Sequence, residues 1–202
     1  MGKSPIGGLS IAVVAATLFA GGAALANPLE ALLSSGGDGV CFDRVYDAAH
    51  LQRVPGQETR TVRASLVRDD TIRDGATARI VLEGEVRLSI VVATCQWKAQ
   101  ANRNSQGRPL VDTFKGKGGL DCTALAAIEP AGDQDGGGFV IDLRDGKSML
   151  LHLPDHLAVW PTFQRRNEAG WEEFGTDDRV FRLDRVERGL CHGMEEALPV
   201  MR

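Results

Sequence analysis

Several motifs of known chemistry are missing from this chain. No Cys-x-x-Cys pair occurs, which argues against a dithiol redox site or a zinc ribbon. The GxxxxGK[ST] spacing is also absent, so the Gly-rich segment 115–119 predicts a loop rather than a phosphate-binding turn. Basic residues form no continuous stripe, which argues against nucleic acid as a partner.

One long apolar run stands near the N-terminus, and no second run of membrane length follows it. Lys3 precedes this uncharged stretch, and Ala24-Leu25-Ala26 ends it with the small-x-small pattern of a cleavage site. The layout predicts a signal peptide over residues 1–26, cut between Ala26 and Asn27, and a periplasmic or secreted mature chain without a membrane span. A retained anchor is the alternative, because the run is long enough to cross a bilayer. Its Ala- and Gly-rich centre favours cleavage.

The mature chain has the size of one domain. Removing 26 of the 202 residues leaves 176, and removing Lys3 leaves 22 basic against 27 acidic residues, a net charge of −5. A chain of this length can bury a substantial core. Residues 27–40 are rich in Pro, Ser and Gly and predict a flexible lead-in, with at most one helical turn at residues 29–33. Residues 41–202 are then expected to form a single domain.

All four cysteines lie in the mature part, and an even number in an exported chain favours disulfides. Three pairings are possible, and we favour Cys95–Cys122 with Cys41–Cys191. Chain-entropy arguments give about 3.5 kcal/mol for the short loop and about 5 kcal/mol for the long one.

Alternating apolar and polar residues dominate the chain after residue 59. Segments 60–67 and 78–83 follow the period of two that is typical of half-buried strands. Asp145-Gly146, between two alternating runs, predicts a β-hairpin. Asp47 predicts the N-cap of a short helical turn near the start of the domain. The expected fold is mostly β, with about seven to nine antiparallel strands in a single barrel or a two-sheet sandwich.

Three segments of the chain resemble a group of exported bacterial proteins to which no activity is assigned. They are residues 41–51, Gly136-Gly137-Gly138-Phe139 and residues 180–185. The resemblance implies a location in the bacterial envelope and no mechanism.

Asp47, His50 and Tyr46 are the closest cluster of proton-handling side chains in the sequence. In one interpretation His50 is a general base oriented by Asp47 in a small periplasmic hydrolase. In the other, Asp47 caps backbone amides and His50 packs beside Leu51. No nucleophile accompanies the pair, which favours the structural interpretation.

Metal ligation is supported by weak patterns only. Asp133 and Asp135 precede three glycines and match part of a calcium loop, but the closing bidentate Glu is missing. A plain turn explains the glycines directly. His152 and His156 are separated by Pro154 in a strand-like segment, where residues four apart lie too far from each other to share one zinc. We therefore expect no metal and no cofactor.

Four aromatic residues among charged ones form the best functional candidate in the sequence. Such side chains can line a surface for a ligand or partner, and they can equally cover the end of a barrel. The leading hypothesis is an exported non-catalytic β domain that binds a small molecule, an envelope component or a protein. An envelope structural factor without a ligand is a further alternative. The aromatic residues are Trp160, Phe163, Trp171 and Phe174.

Overall fold

The computed structural model describes residues 27–37, 39–127, 135–161 and 169–197. Eight antiparallel strands close into a barrel in the order β1-β10-β7-β6-β5-β4-β3-β2, and β8 pairs with β9 outside it. The strands are β1 (Gly39–Val45), β2 (Thr59–Arg68), β3 (Gly75–Gly84), β4 (Leu88–Lys98), β5 (Gly119–Ala124), β6 (Gly138–Arg144), β7 (Ser148–His152), β8 (His156–Val159), β9 (Gly170–Glu173) and β10 (Val180–Val186). The α-helices are α1 (Pro28–Ser35), α2 (Ala48–Arg53) and α3 (His192–Ala197). The predicted mostly-β fold is confirmed, and it is a barrel rather than a sandwich.

Period-two patterning places one apolar row of each strand inside the barrel. In β2 the interior row is Val62, Ala64 and Leu66, each fully buried. Phe42 from β1 and Phe181 from β10 join the same apolar cluster. An eight-stranded barrel is just wide enough for its own side chains. Its interior therefore serves as the protein core.

The β6–β7 connection is the hairpin that the sequence predicts. Asp145 and Gly146 have φ angles of 48° and 68°, and Arg144 pairs with Ser148 across the turn. Positive φ at both central positions is the geometry that matches the right-handed twist of paired strands. Asp and Gly tolerate this backbone conformation better than most residues do.

The N-terminal segment differs from the predicted flexible lead-in over residues 27–40. Residues Pro28–Ser35 form α1, with Asn27 as its N-cap and proline in its first turn. Leu29, Leu32 and Leu33 are buried and belong to the same cluster as the barrel interior. Their i, i+3, i+4 spacing puts them on one helix face. Packing of this face against the core orders a segment whose composition favoured flexibility.

Helix α2 and a short 3₁₀ helix at residues 176–178 lie near the start of β2. Asp178 is buried and accepts hydrogen bonds from the backbone amides of Glu58 (2.8 Å) and Thr59 (3.0 Å). Glu58 precedes β2 and Thr59 begins it. The Asp178 carboxylate therefore serves as the hydrogen-bond acceptor for these two backbone amides in place of a neighbouring strand. The carboxylate joins two segments about 120 residues apart.

Both disulfides form in the pairing that the sequence favoured. Cys95 and Cys122 lie directly opposite each other on β4 and β5 and belong to the interior cluster. Cys41 and Cys191 join β1 to the segment after β10, where Met194 packs beside them.

Candidate functional site

The Asp47–His50 pair forms a helix cap. The Asp47 carboxylate accepts the His50 backbone amide at 2.7 Å, as expected for an N-cap. The His50 ring contacts a different partner: its Nε2 lies 3.0 Å from Gln57 Oε1. Tyr46 stacks 4.7 Å from the same ring, and burial raises the pKa of the Tyr46 hydroxyl. This geometry supports the structural interpretation of the cluster.

The predicted aromatic surface is not assembled from the residues that the structure describes. Trp160 is 1% exposed and packs on the outer face of β4 against Ile90 and Val92. Phe174 is 3% exposed and belongs to the main core. Trp171 is 63% exposed, whereas Phe163 lies outside the described residues. Trp160 therefore shields the outer wall of the barrel, and replacing it would damage the fold.

The structure describes one of the two candidate metal ligands. Asp133 lies outside the described residues, and the Oδ1 of Asp135 accepts the backbone amide of Gly137 at 3.3 Å. Gly137 has a φ of 93°, which favours glycine at this turn. Within the described ranges, no group of three or more His, Cys, Asp or Glu side chains could hold a metal ion.

The loop between β4 and β5, residues 99–118, is ordered by one buried asparagine. Asn102 adopts a φ of 71°, and its Oδ1 accepts the Val111 amide at 2.7 Å. Its Nδ2 donates to the carbonyl oxygens of Val111 (2.7 Å) and Phe114 (3.4 Å). The backbone amide of Asn102 in turn donates to Asp121 Oδ1 at 2.6 Å. The Asn102 side chain thus satisfies backbone groups across the loop, and the Asn102 backbone amide ties the loop to β5.

The underside of this loop is apolar and covers the outer wall of the barrel. Val111 and Phe114 are 3% and 5% exposed, and they pack with Ala101 and with Val140 of β6. The Ala101 amide donates to the Lys117 carbonyl at 2.7 Å, which brings the two ends of the loop together. With its close ends and its own packed side chains, this loop resembles a long Ω-loop, a type that is frequently functional.

His152 lies beneath the same loop, at the end of β7. Its Nδ1 is 3.1 Å from Thr113 Oγ1, and its ring meets Phe114 edge-on at 5.4 Å. Among the described residues its buried Nε2 has no hydrogen-bond partner. Burial lowers the pKa of His152; the charge of Asp142 opposes this shift and that of Arg144 adds to it. The ring is therefore held neutral under the loop.

We expect His152 to make the folded state less stable in mild acid. Well above pH 6.5, the ordinary pKa of histidine, the ring is neutral in both the folded and unfolded chain. As the pH falls below 6.5, the unfolded chain binds the proton first, so stability is lost until the lowered folded pKa is passed. The His152→Gln variant should lose less stability over this range in urea titrations at several pH values. Parallel pH profiles for the two proteins would contradict the assignment.

Residues 103–105 and Leu110 of the loop border a groove that also includes residues of β4 and β5. This cavity of about 470 Å³, which we call the loop groove, lies within the usual range for small-molecule sites. Cross-strand pairs Thr94–Thr123 and Gln96–Asp121 are part of its polar floor. Further lining residues include Lys98, Arg103, Asn104, Leu110 and Ile72.

Asp121 connects the loop groove to the network that orders the loop. Burial raises the pKa of its carboxyl, while the Asn102 amide, Lys98 and the Arg103 amide act in the opposite direction. The carboxylate is therefore both a structural acceptor and a lining group of the groove. The sequence pattern predicts a loop at residues 115–119 and no groove; the basic character of residues 98–118 is the signal that could have indicated one.

No protein-family model, curated protein or solved structure matches this chain. Across the helices that the structure describes, none is long and apolar enough to cross a membrane.

Proposed function

We propose that this chain is an exported, non-catalytic β-barrel domain that binds a small hydrophilic molecule or an envelope component in the loop groove. The observation that carries the proposal is the buried Asn102 network, which holds a 20-residue loop in one conformation over a polar cavity. Loops of this length inside compact domains are uncommon and usually functional. A rigid barrel below the loop would keep the polar groups in place for a ligand.

The proposal that the protein is exported is supported by the predicted signal peptide at residues 1–26, by the contacts of Asn27 and by the two disulfides. Asn27, the first residue after the predicted cut, caps α1 through its Oδ1 and donates from Nδ2 to Asp74 Oδ1 at 3.0 Å. Cleavage after Ala26 would leave these contacts intact. The two disulfides are compatible with an oxidising compartment such as the periplasm.

The non-catalytic assignment follows from the geometry of the best catalytic candidate. The Asp47 carboxylate caps a backbone amide, and the His50 ring contacts the amide side chain of Gln57. A general base needs a partner that orients it toward a nucleophile. In this arrangement both side chains serve the local fold.

Binding in the loop groove can be tested by NMR. The ¹⁵N-labelled mature chain is titrated with maltose, diglycine and digalacturonate as separate polar probes. We expect at least one probe to shift the amide signals of groove residues, among them Thr94, Gln96 and Thr123, and to leave those of α2 unchanged. No groove shift with any probe at millimolar concentration would overturn the proposal.

The Asn102→Asp variant provides the matched test of the loop. It keeps the size and turn preference of the side chain but replaces the Nδ2 donor by an oxygen facing the Val111 and Phe114 carbonyls. Leaving such groups unsatisfied costs about 1–3 kcal/mol. We expect this variant to lose the probe-induced shifts while its barrel amides keep their positions. Retention of full probe binding by this variant would contradict the role of the loop.

A further inference from the structure

Basic residues are concentrated in the segment that borders the loop groove. Residues 98–118 contain five basic residues and one acidic residue, whereas the rest of the chain contains 18 basic and 26 acidic residues. The single acid, Asp112, is already paired with Arg179 of the neighbouring wall. A positive segment on a negatively charged protein raises the local concentration of anions.

Neither of the two cations that line the loop groove makes a direct ion pair with a carboxylate among the described residues, although the charge of Lys98 acts on Asp121. The Lys98 Nζ donates to Gln96 Oε1 at 2.6 Å, and Arg103 donates to the Gly107 carbonyl at 2.9 Å. Several arginines elsewhere on the barrel are paired with carboxylates, as in Arg63–Asp43 and Arg87–Glu172. Lys98 and Arg103 are exposed and can therefore receive an anionic group from a ligand.

Hydroxyl and amide groups occupy the space beside these cations. Thr94, Thr123 and Gln96 supply donors and acceptors on one outer face of the sheet. The groove carboxylates, Asp121 and Asp135, each accept a backbone amide, which compensates part of their charge. The combination suits a ligand that carries many hydroxyls as well as an anionic group.

Resting on the proposed function, we propose that the loop groove binds an acidic oligosaccharide, with its carboxylates at Lys98 and Arg103 and its hydroxyls over the Thr–Gln–Asp floor. The groove offers little to other anions. Phe114, the aromatic residue of the loop, is buried, so stacking of nucleic-acid bases lacks a platform there. Ile72 and Leu110 are the large apolar side chains that line the groove, so it offers little surface to an apolar ligand.

Calorimetric titration of the mature chain with tetragalacturonate tests this ligand class. Maltotetraose serves as the neutral comparison, and hexaglutamate and inorganic phosphate serve as anions without sugar hydroxyls. We expect tetragalacturonate to bind more tightly than all three, and to bind more weakly at about 300 mM than at about 20 mM salt because its charges are screened. Equal binding of maltotetraose, or equal binding of hexaglutamate or phosphate, would overturn the proposal.

Variants at the two cations locate the interaction. Lys98→Gln combined with Arg103→Gln should weaken tetragalacturonate binding about tenfold, the effect of removing two exposed charge contacts. Lys147→Gln is the control, because this exposed lysine on the β6–β7 hairpin also has no ion pair among the described residues. Equal affinity of the double variant and the control would contradict the placement.

The outcomes separate this inference from the proposed function. If tetragalacturonate fails while maltose or diglycine still shifts the groove amides, the ligand class is wrong and the binding function stands. If neither tetragalacturonate nor any polar probe reaches the groove, both proposals fail.

Discussion

Replacing Cys41 and Cys191 together with alanine is expected to lower the free energy of unfolding by about 5 kcal/mol. The bond closes a loop with a sequence separation of 150 residues, so its loss gives the unfolded chain a large gain in conformational entropy. It also joins β1 to the segment that follows β10, where both sulfurs are buried. Equilibrium unfolding in urea without reductant measures the effect.

The second disulfide provides the comparison for this result. Cys95 and Cys122 enclose a separation of 27 residues, for which the chain-entropy contribution is about 3.5 kcal/mol. Wild-type protein unfolded in the presence of reductant should lose at least as much stability as the Cys41/Cys191 variant. A loss below about 1 kcal/mol for that variant would contradict a stabilising role for the long connection.

Replacing Leu33 with alanine is expected to cost about 2–5 kcal/mol of folding stability. Leu33 is 1% exposed and packs from α1 into the apolar cluster of the barrel interior. The truncation removes buried methyl groups and leaves a cavity where the helix meets the core. Thermal and urea unfolding of the mature variant measure the loss.

Ser34→Ala is the matched control on the same helix. Ser34 is exposed, and its hydroxyl contacts Glu30 at 3.1 Å. An exposed change of this kind should alter stability by less than about 0.5 kcal/mol. If Leu33→Ala were as mild as the control, residues 28–35 would be the flexible lead-in that composition favoured.

Local patterning predicted much of the barrel wall. Alternation gave the interior rows of β2 and β3, and Asp145-Gly146 gave the β6–β7 turn, because these features depend on neighbours in sequence. Closure into a barrel depends on pairing β1 with β10, as in Cys41 opposite Val186. No local pattern encodes a contact between segments about 145 residues apart, so barrel and sandwich remained equivalent at that level.

The N-terminal helix was predicted as one turn at most, because composition outweighed spacing. Asn27 as a cap, Pro28 in the first turn and the leucines at 29, 32 and 33 are all helix indicators. An isolated helix of eight residues is unstable in water, and its order comes from packing on the barrel. The same dependence on tertiary contacts hid the burial of Trp160, which packs against Ile90 and Val92 of β4.

The loop groove was beyond the reach of sequence patterns for a related reason. In the sequence, Asn102 is one polar residue among many in a segment without periodicity. Its role arises from contacts with Val111 and Phe114, and from the position of Asp121 across the strand pair. The excess of basic residues over 98–118 could be counted in advance, but their position beside a polar cavity required the fold.

The central claim is that residues 99–118 form an ordered loop that borders the groove. Hydrogen exchange of the loop amides tests this claim most directly. The backbone amides of Asn102 and Val111 donate to the side-chain oxygens of Asp121 and Asn102, so both should exchange at least about a hundredfold more slowly than in an unstructured chain. Asn102→Asp should abolish this protection. Asn104→Asp should retain it, because Asn104 uses only its oxygen as an acceptor. Exchange of both wild-type amides at unstructured rates would contradict the account.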